Sequence, residues 1–231
     1  MSDVIKAEDA LEEYLDTHKF WRALAMTIEH MRRQWAPTGR VLIPFLGVTG
    51  QCAWPTGRWD IWAPVFSWKL LGRRLPTLWI ELHQRRHWQQ RKRWRRNYLR
   101  WLSTYRRRPI LMQHKFKAVP ASIRYPLELV RAPVSNSPFH GTFDWLMALA
   151  ITLQVEEIAV WGVDYDSAHE ELYQKAAATF WIGVARGKGI NVQISPGSPL
   201  LRNPMPQRQT YGYDYPPWPK GHHPDDYPRK R

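Results

Sequence analysis

The chain has 231 residues, 44% of them hydrophobic, which is enough for one α/β domain with a substantial core. Its 34 Lys and Arg against 20 Asp and Glu give a net charge of +14, which favours a polyanionic partner such as nucleic acid, a nucleotide or an anionic surface. A single cysteine excludes an internal disulfide, and no apolar run approaches the roughly 20 residues that span a bilayer, so we expect a cytoplasmic protein.

Three regions are expected along the chain. Residues 1–38 carry apolar positions at helical spacing and are predicted to form an N-terminal helical segment that stops near Pro37. Residues 39–202 are predicted to form the α/β domain. Residues 203–231 are rich in Pro, Tyr and basic residues, which predicts a flexible tail whose His and Asp residues have no fixed geometry for a metal.

Short apolar runs predict four strands in the first part of the domain, at residues 40–46, 59–62, 78–83 and 110–113. The first is followed by Gly47-Val-Thr-Gly50-Gln, whose backbone N–H groups could cradle phosphate; a plain turn is the alternative. Glu81 and His83 share a face at the end of the third strand. They are therefore a candidate acid/base pair, or else two polar residues of an edge strand.

Residues 85–108 carry ten Arg, one Lys and no acid. An aromatic seam at helical spacing predicts an amphipathic helix with a basic outer face. This face could bind the phosphate backbone of a nucleic acid, since Arg makes bidentate phosphate contacts. The candidate nucleic-acid-binding residues are Arg91, Arg93, Arg95, Arg96 and Arg100. A solvated face, a membrane surface or an acidic protein partner would also accommodate this charge.

The second part of the domain reads as helix, strand, helix, strand, at residues 142–154, 158–161, 170–187 and 190–194. This order implies right-handed crossovers and a parallel sheet. Gly162 ends the buried strand and Asp164 follows, at the point where ligands bind in open α/β sheets. Thr142 can cap the first helix and could help to hold an anion at its N-terminus; a capping turn alone is the alternative.

Three motifs of the C-terminal half recur together in known proteins. They are Gly141-Thr142 at a helix start, Trp161-Gly-Val-Asp164 at a strand end, and Pro196-Gly-Ser-Pro-Leu200 after the last strand. In these motifs the chain resembles the Rossmann-type bacterial sialyltransferases and the archaeal 6-hydroxymethylpterin diphosphokinase-like proteins. Uncharacterised phage-encoded members of this superfamily are most similar, sharing the segments 59–62, 80–83 and 171–175. For a phage-encoded protein, the compartment would be the host cytoplasm.

The resemblance implies a Rossmann-like domain that binds a nucleotide sugar. Carried over by position, the residues that hold the nucleotide sugar are Gly47, Gly50, Thr142, Gly162 and Asp164. The segment shared with the phage-encoded members adds Gln174 and Lys175 to these binding residues, and Glu171 as an acid/base candidate. The chain departs from the family pattern at Val65, where an Asn is usual, and in the glycine turn, which lacks the usual Ser; no His aligns with the sialyltransferase general base.

We therefore expect a nucleotide-sugar-dependent glycosyltransferase with an anionic acceptor such as DNA or RNA. Its acid/base and polar groups would be Glu81, His83, Asp164 and Glu171, and no metal site is predicted. One alternative is a non-catalytic nucleotide- or nucleic-acid-binding protein on the same fold. Another is a diphosphokinase-like phosphoryl transferase, for which Asp164 and Asp166 would have to hold Mg²⁺.

Overall fold

The described part of the chain forms one sheet with helices on both faces. In this computed structural model it comprises residues 19, 21–67, 71–86, 95–131, 137–165 and 171–201, without the side chains of residues 48, 95–97, 171 and 172. The strands are β1 (Arg40–Pro44), β2 (Asp60–Pro64), β3 (Leu78–Glu81), β4 (Ile110–Met112), β5 (Ser122–Arg124), β6 (Glu157–Trp161) and β7 (Asn191–Ile194). The helices are α1 (21–35), α2 (Arg95–Thr104), α3 (Leu127–Arg131), α4 (Thr142–Thr152) and α5 (Ala176–Gly187).

The strand order is β5-β4-β3-β2-β1-β6-β7, and every neighbouring pair is parallel. The predicted Rossmann-like α/β fold is confirmed. The chain adds strands outward from β1 to β5, and then returns to place β6 and β7 on the other side of β1. The boundary between β1 and β6 is therefore the topological switch point, beyond which open α/β sheets bind their ligands.

Alternate residues of each strand contribute to cores on opposite faces of the sheet. On β3, Leu78 and Ile80 join the larger core beneath α1, α4 and α5, whereas Trp79 joins the core that α2 covers. The period of two arises because successive side chains point to opposite faces. Glu81 lies on the same face as Trp79, so the last residue of β3 turns its carboxylate toward α2.

Several predicted boundaries are corrected by the structure. The strand β5 was not predicted, and the strands predicted at residues 40–46 and 78–83 are shorter. The basic helix ends at Thr104 rather than at 108, and the helix expected from residue 170 begins with a π-helical turn, Glu171–Lys175. Helix α4 ends at Thr152 because Gln154 takes a left-handed backbone conformation, with φ of 53°.

Residues 1–18 of the predicted N-terminal segment lie outside the described residues, as do residues 202–231, which include the predicted tail. Within the described part, no helix is both long and apolar enough to cross a membrane.

Three of the 14 tryptophans tie neighbouring segments to the sheet or to α5. The indole N–H groups of Trp62, Trp161 and Trp181 donate to the backbone carbonyls of Trp35, Ala53 and Pro138, at 2.7, 3.2 and 2.7 Å. Indole is a large apolar group with one donor, so it fills core volume and holds a neighbouring segment at the same time.

Candidate active site

A pocket of about 480 Å³ opens beyond the carboxyl ends of β1, β2, β3 and β6. Its volume lies in the range of small-molecule sites, and it is located at the switch point of the sheet. The polar side chains that line it are His83, His140, Thr142, Asp164, Tyr165 and Gln174. Phe45, Leu46 and Phe66 provide its apolar wall.

Two glycine turns at the floor of the pocket pack directly against each other. The N–H of Gly47 donates to the carbonyl of Gly162 at 2.9 Å. A Cβ on Gly47 would lie 2.3 Å from that carbonyl oxygen, and a Cβ on Gly162 would lie 2.3 Å from the carbonyl oxygen of Phe45. Both residues line the pocket. The close approach of the two backbone segments therefore leaves no room for a side chain at either position.

Asp164 connects the same two turns. It is 5% exposed, and it accepts the Thr49 N–H at Oδ2, 3.0 Å away, and the Thr49 hydroxyl at Oδ1. The Thr49 hydroxyl also lies 2.7 Å from the hydroxyl of Ser195, which follows β7. The carboxylate thus holds the turns after β1 and β6 in place, and it can still accept a further hydrogen bond from a ligand.

The N–H groups of the Gly47–Gln51 turn are largely used by the protein itself. Those of Gly47, Thr49 and Gly50 donate to Gly162, Asp164 and Gly47. A phosphate needs several such groups pointing at it. The turn therefore shapes the pocket floor, and these three N–H groups donate within the protein; a phosphate-binding role for the turn stays a prediction.

His83 lines the pocket and is held from behind by Glu81. Nδ1 of His83 lies 2.6 Å from Oε1 of Glu81, which also accepts the His83 backbone N–H at 2.9 Å. The hydroxyl of Tyr98 on α2 donates to the other carboxylate oxygen. Because an ionised carboxylate only accepts, this contact places the proton of a neutral imidazole on Nδ1. Nε2 is then the nitrogen that can take a proton.

Glu81 is 3% exposed, yet it is suited to remain ionised. Burial alone raises the pKa of a carboxyl group, but the hydrogen bonds from His83 and Tyr98 and the charge of His83 outweigh this effect. Together they hold the pKa of Glu81 below its ordinary value. A charged carboxylate at this position can stabilise a protonated His83.

The N-terminus of α4 forms another wall of the pocket. The N-cap is Gly141, so the prediction that Thr142 caps the helix is wrong; Thr142 is its first residue. The Asp144 carboxylate accepts the N–H groups of His140 and Gly141, at 2.7 and 2.8 Å. Phe139 stacks on Trp145, with ring centroids 3.8 Å apart, which fixes the approach to the helix.

No protein-family model matches this chain, and neither the curated proteins nor the solved structures contain a match. The likeness to sialyltransferases and diphosphokinase-like proteins consequently stays a prediction from motifs, alongside a confirmed Rossmann-like fold.

Of the predicted site residues, the pocket brings together Gly47, His83, Thr142, Gly162, Asp164 and Gln174. Glu81 lies behind His83, and Gly50 packs beneath Gly162. Lys175 directly precedes α5 and is not among the lining residues. The side chain of Glu171 lies outside the described residues.

The predicted nucleic-acid-binding residues are only partly described. Arg91 and Arg93 lie outside the described residues, as do the side chains of Arg95 and Arg96. Arg100 is exposed on α2. The described part contains no group of three or more His, Cys, Asp or Glu residues that could hold a metal ion.

Sequence reasoning missed His140, Tyr165 and Tyr98. A signal for His140 existed, since it directly precedes the Gly-Thr helix start. Tyr165 carries no such signal: it has a left-handed φ of 46° and lines the pocket beside Asp164. Tyr98 belongs to the aromatic seam of the predicted basic helix, and only the packing of α2 on β3 shows that its hydroxyl reaches Glu81.

Asp144 predicts a pH-dependent stability. Burial raises the pKa of Asp144 from 3.8 to about 6, although the N–H groups of His140 and Gly141 oppose this rise. Its Oδ1 has no partner within the described part of the chain. Because the folded protein binds this proton more tightly than the unfolded chain, the contribution favours folding below about pH 4 and is lost as the pH rises through about 6.

The variant Asp144→Asn keeps an acceptor for the two N–H groups and removes the titration. The difference in pKa corresponds to roughly 3 kcal/mol. We therefore expect wild type to lose about that much unfolding free energy relative to Asp144→Asn between about pH 4 and 8, measured by urea unfolding. A constant difference between the two proteins would show that this carboxyl group titrates normally.

Proposed function

We propose that this protein is a nucleotide-sugar-dependent glycosyltransferase that transfers a sugar to a hydroxyl group of a nucleic acid. One observation carries the proposal: an imidazole backed by a buried carboxylate lines a pocket at the switch point of a parallel sheet. The combination of a general base and a nucleotide-sized pocket is what sugar transfer to a hydroxyl requires.

In the proposed reaction, Nε2 of His83 takes the proton of the acceptor hydroxyl. The acceptor oxygen forms a bond to the anomeric carbon of the sugar while the bond from that carbon to the phosphate oxygen breaks. The electron pair of the broken bond leaves with the nucleotide, and the proton stays on His83 beside the charge of Glu81. General base catalysis of this kind contributes about 10²–10⁴-fold to a rate.

The leaving phosphate would be stabilised at the N-terminus of α4. The first N–H groups of a helix have no intrahelical acceptor, and the helix dipole favours an anion there. The N–H groups of His140 and Gly141, which precede the helix, already donate to Asp144. Thr142 supplies a hydroxyl at this position, and His140 lies beside it. These donors are present before the reaction, as electrostatic stabilisation of a leaving group requires.

A cationic rim next to His83 supports a nucleic-acid acceptor. Arg85 and Arg86 follow His83, and Lys115 and Lys117 follow β4; all four are exposed. The Gln113 side chain donates to the carbonyl of Leu82 at 2.8 Å, which ties the second segment to the His83 loop. Residues 82–86 and 113–121 contain no acid. A phosphate backbone on this rim would bring a sugar hydroxyl near His83.

A second candidate is a non-catalytic nucleotide-binding protein. It is favoured by the internal use of the Asp164 carboxylate and of the glycine-turn N–H groups, which hold the pocket in shape. Phosphoryl transfer with Mg²⁺ would need a second carboxylate beside Asp164, and the predicted partner, Asp166, lies outside the described residues.

Native mass spectrometry of the purified protein, followed by assays with UDP-, CMP-, GDP- and dTDP-sugars, tests the proposal. We expect one nucleotide sugar to be retained and to be hydrolysed slowly, with faster turnover and sugar transfer when an oligonucleotide is added. A retained nucleotide without turnover under any of these conditions would support the binding protein instead. Conversion of ATP to AMP would support phosphoryl transfer.

A further inference from the structure

Six exposed arginines lie at the amino ends of β2, β3 and β4, the edge of the sheet opposite the pocket. They are Arg58, Arg73, Arg74, Arg106, Arg107 and Arg108, and we call them the arginine edge. They belong to three loops that are far apart in sequence. The sheet brings the loops side by side, because Trp62 pairs with Leu78 and Trp79 pairs with Ile110. Neighbouring strands lie about 4.8 Å apart, so the starts of β2 and β4 are about 10 Å apart.

The charge of the arginine edge is not neutralised within the described residues. No carboxylate there forms an ion pair with any of the six. The nearest acid in sequence, Asp60, is 5% exposed and accepts hydrogen bonds from Thr38 and Thr77. Glu157, near the start of β1, pairs with Arg40. Such concentrated charge is costly without counterions, which a bound polyanion would replace.

Two of the six arginines are partly fixed by their surroundings. The guanidinium of Arg74 lies 4.6 Å above the ring of Trp54, and Arg106 donates to the carbonyls of Ser103 and Tyr105 at the end of α2. The remaining four, Arg58, Arg73, Arg107 and Arg108, are exposed side chains of the same three loops. Fixed and adjustable guanidinium groups together can follow an extended row of phosphates.

We propose that the arginine edge is a second nucleic-acid-binding surface, separate from the pocket. All six cations are arginine and none is lysine, which suits the planar, bidentate contacts made with phosphate oxygens. An anionic membrane attracts lysine and arginine alike and commonly engages exposed aromatic rings, whereas Trp54, which Arg74 covers, and Tyr105, whose carbonyl Arg106 contacts, are half-buried. Nucleic acid is therefore the partner that fits best.

The arginine edge lies too far from His83 to hold the acceptor hydroxyl at the pocket. Parallel strands of three to five residues separate it from His83, at about 3.3 Å per residue. A strand bound at the arginine edge therefore does not occupy the pocket. The surface would hold the protein on nucleic acid while a different stretch reaches the site, without dependence on sequence.

The test is fluorescence anisotropy of the full chain with labelled single-stranded and duplex oligonucleotides over a range of salt concentrations. The triple variant Arg73→Gln, Arg107→Gln, Arg108→Gln removes three exposed side chains that form no ion pair with the described residues. The matched control Arg22→Gln, Arg131→Gln, Lys188→Gln removes the same charge from exposed positions on α1, α3 and the turn after α5. Thermal unfolding checks that both variants fold as wild type does.

We expect the arginine-edge variant to bind at least about 10-fold more weakly and to lose about 2 to 3 from the slope of log affinity against log salt. The control should stay within about 2-fold of wild type. If both variants lost the same oligonucleotide affinity, the effect would arise from net charge alone and the proposal would be wrong. Binding of the wild-type protein to anionic vesicles but not to oligonucleotides would also overturn it. Nucleotide-sugar retention should be unchanged in both, so failure here is distinguishable from failure of the proposed enzyme activity.

Discussion

Replacing His83 by asparagine should lower kcat for sugar transfer by about 10²–10⁴-fold with little change in affinity for the nucleotide sugar. The asparagine amide can keep the hydrogen bond that Nδ1 of His83 makes to Glu81, so the buried carboxylate retains a donor. The variant lacks Nε2, which is the proposed proton acceptor. The loss expected is that of a general base acting in the transition state, which lowers kcat and not ground-state binding.

The measurement is steady-state kinetics with the retained nucleotide sugar and an oligonucleotide acceptor, with donor affinity from isothermal titration. His30→Asn is the matched control, because His30 is exposed on α1 and outside the pocket. It should behave as wild type. If His83→Asn keeps more than about a tenth of the wild-type kcat, the imidazole is not the base and the proposed mechanism is wrong.

Replacing Gly162 by alanine should destabilise the protein by about 2–5 kcal/mol, a large fraction of the roughly 5–15 kcal/mol by which native proteins are stable. Gly162 has a φ of +70°, a left-handed conformation that costs an L-residue about 1–2 kcal/mol. Its new Cβ would also lie 2.3 Å from the Phe45 carbonyl oxygen and 2.7 Å from the Gly50 Cα. Both are backbone atoms, so neither can rotate away, and the two turns would have to separate.

Gly189→Ala separates the two causes. Gly189 has a φ of +81°, but no heavy atom lies within 4 Å of an added Cβ. It carries the conformational cost alone, and we expect about 1–2 kcal/mol. Urea unfolding of both variants measures the difference. A Gly162→Ala protein as stable as Gly189→Ala would mean that the turns do not pack as described, and the pocket floor would lose its basis.

The strands with strong apolar patterns were predictable. Residues 158–161 and 190–194 contain β-branched and apolar residues in short runs, and both form strands with nearly the expected bounds. The strand β5 escaped because Ser122-Ile-Arg124 has no apolar pattern over three residues. It is a strand because it pairs with β4, which is a tertiary cause.

The sequence indicated the turns that line the pocket, but it did not indicate which contacts their residues make. Ligands bind beyond the carboxyl ends of parallel strands, which predicts a site at Gly47, Gly162 and Asp164. All three residues line the pocket. Their functions depend on contacts between segments more than a hundred residues apart. No local pattern shows that Asp164 accepts two hydrogen bonds from Thr49.

The sequence by itself determined the charge, the parallel α/β class and the approximate ends of most strands, because these follow from composition and from local periodicity. Only the tertiary structure decided which polar groups face a ligand and which hold the protein together. It places Glu81 against His83 and Tyr98 against Glu81. It also brings the six arginines of the arginine edge together from three loops. The reason is physical: hydrogen bonds and charge clusters depend on distances in space, which a one-dimensional pattern does not contain.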